Sequence, residues 1–376
     1  MKALFLIFHG FEEFNGISKK IRSQIKALKE CGLDVKTCYL EENNKKLRMI
    51  DDTIIADYGN GIFAKIKKRI SFQSVINYVQ KEKISFIYIR YDHNSNPFTI
   101  YLVKELKKLN CKIVLEIPTY PYDKEYQFLP FAYKRILWTD QLFRRKFVSY
   151  VDYIVTFSDD KEIWAVPTIN ISNGIDFESI KLKTKINDTN KELHLLGVAT
   201  IHPWHGFDRI LCGLAEYYKK NPNYKVIFHI VGFGVPEVID YYKQLIKEEN
   251  ISDYVHFYGG LFGEKLDEIF EKCDMGIGSL ARHKSNIDKI KTLKNREYAA
   301  RGIPFIYSET DDDFENMPYI KKEEADDSPI NIDELIKFYK TVTLSPEEIR
   351  NTILNKLSWK NQMSIVIQKA MKYNLQ

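Results

Sequence analysis

Cysteine is scarce in this chain of 376 residues, and the five present (Cys31, Cys38, Cys111, Cys212 and Cys273) are odd in number and scattered. That scatter excludes a disulfide framework and the short paired spacings of a metal site, leaving reduced core residues as the expectation. Long apolar runs are also missing. The stretch Ala3–Phe8 is too short for a signal-peptide core, and nothing approaches the ~20 apolar residues of a membrane span, so a cytoplasmic protein is expected. There is no repeat and no low-complexity tract. Charge of one sign is not in excess either: a net +5 is too weak to announce nucleic acid.

What is present is ordinary globular material, 44% hydrophobic and 28% charged, in a chain longer than one usual domain. Two domains are therefore expected. Short apolar runs alternate with helical spacing throughout, which predicts mostly parallel sheets. Ala3–Phe8 leads into Ile17, Ile21, Ile25 and Leu28 at helical intervals, then the strand Val35–Leu40. Strands Phe86–Arg90, Lys112–Ile117, Tyr153–Phe157 and Thr168–Ser172 continue the first domain, set at residues 1–180. The polar stretch 181–192 reads as a linker. A second alternating run occupies 193–355, and a closing helix, Trp359–Met371, lies within 356–376. The predicted fold is α/β, with two doubly wound parallel-sheet domains facing a cleft, and loops after the strands carrying the chemistry.

Several loops hold candidate groups, each with a plain alternative. Gly232-Phe233-Gly234 sits between strand and helix, either for close approach to a phosphate or as a tight turn. Gly10 and Gly16 flank another such loop, either a phosphate or sugar site or a capped helix entry. Glu297, in the first turn of a short helix, either answers the macrodipole or binds paired ribose hydroxyls. Arg282, His283, Lys284, Lys289, Lys291 and Lys294 form a dense cationic run, either a solvated face or fixed positive charge for a departing diphosphate. Glu116, ending an inner strand, either meets sugar hydroxyls or is salt-bridged, and His93 ends another strand. The basic aromatic stretch 134–147 either lies on an anionic membrane or packs on the core.

In their order along nearly the whole chain, these segments resemble glycosyltransferase family 4, the retaining GT-B enzymes of the group 1 glycosyltransferases. Gly10–Gly16 corresponds to that family's first glycine loop, and Asn173-Gly174-Ile175-Asp176 to the turn ending its first domain. Gly232–Glu237 matches its Gly-x-Gly-x-x-Glu stretch, and Val255–Gly259, with Tyr258 and Gly259, the segment lining the base. Glu297 with Ala299–Pro304 looks like the second half of the Glu-x-seven-Glu signature. The first glutamate falls on Lys289 with Asp288 beside it. The family's diphosphate-holding Arg and Lys fall on Thr200 and His205, and its inner-strand histidine on Pro118, leaving Glu116 and His93 as replacements.

The resemblance implies a two-domain GT-B fold whose last helix crosses back to the first domain. It implies a metal-independent, cofactor-free retaining transfer of a sugar from a nucleotide-diphosphate donor, with UDP the commonest case. The donor side would comprise Gly16, Thr200, His205, Gly232, Gly234, Tyr258, Gly259, Asp288 and Glu297. Lys294 and Arg282 would stabilise the leaving diphosphate, and Glu116 would touch sugar. The acceptor would be a glycan or a lipid-linked glycan for surface polysaccharide, met at the inner face of the cell membrane. Two rivals are a nucleotide-sugar epimerase, for which no constellation of acids and histidines is evident, and a non-catalytic GT-B subunit binding a partner transferase.

Overall fold

In the computed structural model, which describes residues 1–12, 16–123, 126, 131–184 and 192–371, the short apolar runs are strands buried on both faces. Lys2–Leu6 (β1) shows why: Ala3 and Phe5 enter one apolar cluster while Leu4 and Leu6 enter another, as a two-residue period requires. The chain continues through Gly16–Glu30 (α1), Asp34–Glu41 (β2), Leu47–Ile50 (β3), Thr53–Asp57 (β4), Gly61–Ile70 (α2), Gln73–Glu82 (α3) and Phe86–Arg90 (β5). Then come Pro97–Lys108 (α4), Lys112–Ile117 (β6), Phe131–Val148 (α5), Tyr153–Thr156 (β7), Glu162–Ile163 (β8) and Val166–Asn170 (β9). These strands form one sheet in the order β4-β3-β2-β1-β5-β6-β7-β9-β8. It is parallel from β2 to β9, with β3, β4 and β8 antiparallel at its edges.

The second sheet is built from Glu192–Val198 (β10), Lys225–Val231 (β11), Val255–Phe257 (β12), Met275–Ile277 (β13), Phe305–Tyr307 (β14) and Ile320–Lys322 (β15). Its order, β12-β11-β10-β13-β14-β15, is wholly parallel. The strand order reverses between β10 and β13, and the crevice beyond the carboxyl ends of those two strands is where doubly wound sheets hold ligands. Helices Phe207–Tyr218 (α6), Pro236–Glu248 (α7), Gly263–Lys272 (α8), Leu293–Arg301 (α9), Ile332–Thr341 (α10) and Pro346–Leu354 (α11) flank it. The predicted fold class is therefore what is found: two parallel-strand sheets with helices around them.

The chain divides into two compact units, Met1–Ser172 with Trp359–Gln376, and Asn173–Ser358. The division falls before the expected end at 180 because Ile175 and Ile180 pack with Leu196, Tyr298 and Phe305 in the second unit. Of the stretch read as a linker, residues 185–191 lie outside the described residues, while Lys183 Nζ is held by the carbonyls of Glu271 and Cys273 at 2.6 and 2.8 Å. Trp359–Met371 (α12) belongs to the first unit. It lays Trp359, Met363, Val366 and Ile367 beside Ile21 and Ile25 of α1, burial contributing roughly 1.5–3 kcal/mol per side chain.

The β3–β4 hairpin went unread in the sequence. Its two-residue turn puts Asp51 at φ 47°, and the Asp51 carboxylate also accepts the Thr37 N–H at 2.9 Å.

Candidate functional site

The second unit brings three loops to the switch point of its sheet. Beyond β10, Ala199, Thr200 and Ile201 run alongside the glycine loop after β11: Ile201 N–H donates to Phe233 O at 2.6 Å and Val235 N–H to Ile201 O at 3.0 Å. The two glycines are required by that approach. Gly232 has φ 140°, and a Cβ there would stand 1.7 Å from Ala199 O; at Gly234 it would stand 2.3 Å from Ile201 O. Backbone packing thus accounts for both without a ligand. The Gly259 carbonyl accepts the Gly232 N–H at 2.7 Å, and the exposed Thr200 lies two residues past the end of β10.

Next, His202 and the turn Pro203–His205 lead to Gly206, whose φ of 64° lets the chain lie against Ala281. His205 is buried, and its Nδ1 accepts the His202 N–H at 3.0 Å, so the ring's proton sits on Nε2. Burial, with Lys294 and Arg282 nearby, holds its pKa well below the usual value, so the ring is a neutral donor. His202 stacks on Trp204 at 4.1 Å, and the Arg282 guanidinium lies 5.7 Å from the same indole.

The third loop precedes α9. Lys294 sits in its first turn with Nζ inside the protein, 6.0 Å from the centre of the Phe207 ring. Burial, reinforced by repulsion from Arg282 and only partly offset by Glu309, lowers its pKa to about 7. Glu309, just past β14, is 1% exposed; burial raises its pKa, against the pull of Arg282 and Lys294. One of its oxygens accepts from Asn295 Nδ2 at 3.2 Å. Lys294 Nζ, Glu309 Oε2, Asn295 Oδ1, Ser279 Oγ and Thr292 Oγ1 are all buried, and none finds a hydrogen-bond partner among the described residues. Orphaned buried polar atoms are rare in folded proteins, and five gathered around one helix N-terminus need an explanation. Two cations, a neutral imidazole donor and a helix N-terminus against one carboxylate have the chemistry to hold an anion.

The remaining residues singled out in the sequence are placed as follows. Of the cationic run, Lys284 and His283 pair with Asp327 at 2.8 and 3.2 Å and Lys289 with Asp312 at 2.6 Å, while Lys294 and Arg282 are the cations brought near His205. Asp288 is exposed, and its carbonyl accepts the Thr310 N–H at 2.7 Å. Glu297 is half-buried and takes both the Nε and Nη2 hydrogens of Arg301, at 3.1 and 2.9 Å. Arg296, just before Glu297 in sequence, is wholly buried and bidentate to Asp311 at 2.6 and 3.0 Å, with Asp313 also paired, which fixes the start of α9. Tyr258 turns its hydroxyl to His229 Nδ1 at 2.8 Å.

In the first unit, Glu116 is not presented to a sugar. It is 0% exposed and meets Lys20 at 3.2 Å, Arg90 at 2.8 Å, Gln24 at 2.6 Å and Tyr88 at 2.6 Å. Those cations hold its carboxyl below its ordinary pKa despite burial, so the salt-bridged alternative describes it. Gly16 opens α1 and is exposed; the loop residues 13–15 before it lie outside the described residues. His93, at φ 47°, stacks on Tyr122 at 3.7 Å and bonds Tyr126 Oη through Nδ1 at 2.7 Å. Burial lowers its pKa to about 4.

Sequence reasoning missed Glu309, Asn295 and Ser279. The only signal was position: Ser279 and Glu309 each follow the end of a neighbouring parallel strand, where ligand loops belong.

No protein-family model matches the sequence, and no curated protein matches it. Among solved structures, the chain is similar to sucrose-phosphate synthase from Thermosynechococcus elongatus, at 15% identity over 99% of this chain and 98% of that one, with a TM-score of 0.64. It is similar to the lipopolysaccharide outer core galactosyltransferase WaaB in its apo form, at 15% identity over 98% and 100%, TM-score 0.63. It is also similar to HepE from Anabaena in complex with UDP and glucose, at 13% identity over 99% and 100%, TM-score 0.61. At these identities the likeness shows the fold, which is GT-B.

Proposed function

We propose that this protein is a glycosyltransferase whose donor is a nucleoside-diphosphate sugar, with the diphosphate seated in the second unit at Lys294. The observation that carries the reading is the buried Lys294 Nζ, unpartnered among the described residues and set beside Arg282, the Nε2–H of His205 and the N-terminus of α9. A diphosphate supplies the missing acceptor oxygens and the missing negative charge together. Sugar-nucleotide chemistry in the fold neighbours supports the choice among anions: HepE was solved with UDP and glucose, and WaaB is named a galactosyltransferase.

In this reading the positions that resemble the family's diphosphate-binding Arg and Lys are Thr200 and His205, and the charge has moved to Arg282 and Lys294. Fixed cations replace a metal. As the bond from sugar C1 to the diphosphate oxygen breaks, negative charge grows on the leaving oxygen, where Lys294 and Arg282 stabilise it. A new bond forms from C1 to the acceptor oxygen on the same face, and the acceptor proton passes to the departing diphosphate. Glu297 has one oxygen on Arg301 and offers the other to the ribose hydroxyls. We take UDP as the donor nucleotide and a glycan or lipid-linked glycan as acceptor.

Calorimetry with UDP and with GDP tests this, on the wild type, Lys294→Ala and Arg282→Ala. One nucleotide should bind, and each substitution should weaken it by about 1–3 kcal/mol, as loss of a charge-assisted hydrogen bond does. Binding of neither nucleotide would move the chain to the reading of a non-catalytic subunit.

A further inference from the structure

Two loops of the second unit are fastened to each other through their backbones. Leu280 N–H donates to His205 O at 3.0 Å and Ala281 N–H to Trp204 O at 3.2 Å. Gly206 lies so close that a Cβ there would stand 2.9 Å from that of Ala281. The turn Arg282–Ser285 that follows is pinned from elsewhere as well: Arg209 donates from Nη1 to Leu280 O and from Nη2 to Asp326 at 2.9 Å, and Asp327 holds His283 and Lys284. With that backbone set, what remains to be aimed is the Arg282 side chain. Arginine loses much rotamer freedom when fixed, and the repulsion between Arg282 and Lys294, which lowers the Lys294 pKa, works against keeping the two cations together.

The Trp204 indole stands where it can do the aiming. Its ring centre is 5.7 Å from the Arg282 guanidinium carbon, within cation–π range. The indole is itself steadied by His202, stacked on it at 4.1 Å with the planes 8° apart. Trp204 is half-buried, and among the described residues it belongs to neither apolar cluster of this unit, so core packing does not account for it. A carboxylate would also hold a guanidinium, but it would neutralise the charge and occupy the in-plane N–H donors that a phosphate needs. An aromatic face holds the group through its quadrupole and takes neither. Glu309 draws on the same guanidinium; the ring adds a hold that leaves the charge in force. We propose that Trp204 is a positioning residue for the diphosphate: its indole keeps the Arg282 guanidinium near Lys294 and His205, so that a nucleotide meets an ordered cation. The inference rests on the diphosphate reading of Lys294 and Arg282 and adds to it a residue that acts through Arg282.

A double-mutant cycle on the full chain tests it, read by calorimetry with UDP, or with GDP should that be the nucleotide bound. Trp204→Leu should weaken binding about three- to thirty-fold, the span of cation–π contacts from exposed to desolvated sites. Trp204→Phe, which keeps a weaker ring, should fall between Trp204→Leu and the wild type. Either substitution made on Arg282→Ala should leave affinity unchanged from Arg282→Ala alone, because the indole acts through the guanidinium. Thermal unfolding checks each variant, and where Trp204→Leu does not fold, the Trp204→Phe cycle decides on the same criterion. A tryptophan that only shaped its loop would weaken binding equally in both backgrounds, and that result overturns the proposal. Wild-type affinity in Trp204→Leu overturns it too, and if Lys294→Ala and Arg282→Ala still weaken binding, the diphosphate reading stands while this inference alone falls. Binding of neither nucleotide by the wild type removes both.

Discussion

Replacing Lys294 by Met should push stability and nucleotide binding in opposite directions. The Lys294 ammonium lies inside without a hydrogen-bond partner among the described residues, and burial lowers its pKa from 10.5 to about 7. A lysine whose folded pKa is depressed destabilises the fold wherever the unfolded chain would hold the proton. The penalty is therefore complete below about pH 7 and is relieved as pH rises toward 10.5. At about 1.4 kcal/mol per pH unit its ceiling is about 5 kcal/mol. Methionine has a similar shape and no charge, so Lys294→Met should gain a sizeable part of that, with the gain largest below about pH 7 and shrinking toward pH 10.5. The same change removes the cation that meets the diphosphate and should weaken UDP by about 1–3 kcal/mol. Urea unfolding across the pH range, read beside calorimetry, measures both. A variant less stable than the wild type at neutral pH would refute the electrostatic account of the site, since it would mean Lys294 is already satisfied there.

Because the diphosphate selects the charged lysine, UDP affinity should fall as pH rises from 6 through the Lys294 pKa of about 7 and beyond; the heat of binding should depend on buffer ionisation, showing proton uptake, and a flat profile would contradict it. Gly232→Ala would drive a Cβ to 1.7 Å from Ala199 O at a φ of 140°, so a loss of roughly 3 kcal/mol or more in urea unfolding is expected; an unchanged midpoint would mean the loop relaxes freely. Arg296→Leu strands Asp311 in the interior and leaves Asp313 without one of its two cations, Lys356 remaining, and should cost about 3–5 kcal/mol, measured the same way. Glu116→Ala removes the buried carboxylate that Lys20 and Arg90 share and should cost a similar 3–5 kcal/mol; full stability with altered acceptor kinetics would restore a direct role in sugar binding.

Most of the fold was legible because it rests on local pattern. Helices Phe207–Tyr218 and Trp359–Met371 and strand Lys112–Ile117 stand where their periodicity put them, since burial on defined faces leaves a strong periodic trace. The β3–β4 hairpin and α2 left weaker traces. Leu47–Ile50 is interrupted by the buried Arg48, and α2 keeps its apolar residues outside, so core-seeking logic passes over both. The candidate site divides likewise. Lys294 and Arg282 were visible as part of a cationic run, but which cations of that run go to the site depends on Asp312 and Asp327 claiming Lys289 and Lys284, contacts made by residues far along the chain. Glu116 could not be told from a sugar-binding acid in sequence, because Lys20 and Arg90 reach it from other elements. Glu309 sits in no motif and gains meaning only when β14 sets it beside Asn295 and Lys294.

The central claim is that Lys294 and Arg282 receive the diphosphate of a sugar nucleotide, and a crystal structure of the full chain soaked with UDP tests it most directly. The account predicts diphosphate oxygens within hydrogen-bond distance of Lys294 Nζ and His205 Nε2, with Arg282 turned toward them. UDP bound with its phosphates elsewhere, and Lys294 Nζ still without a partner, would contradict it.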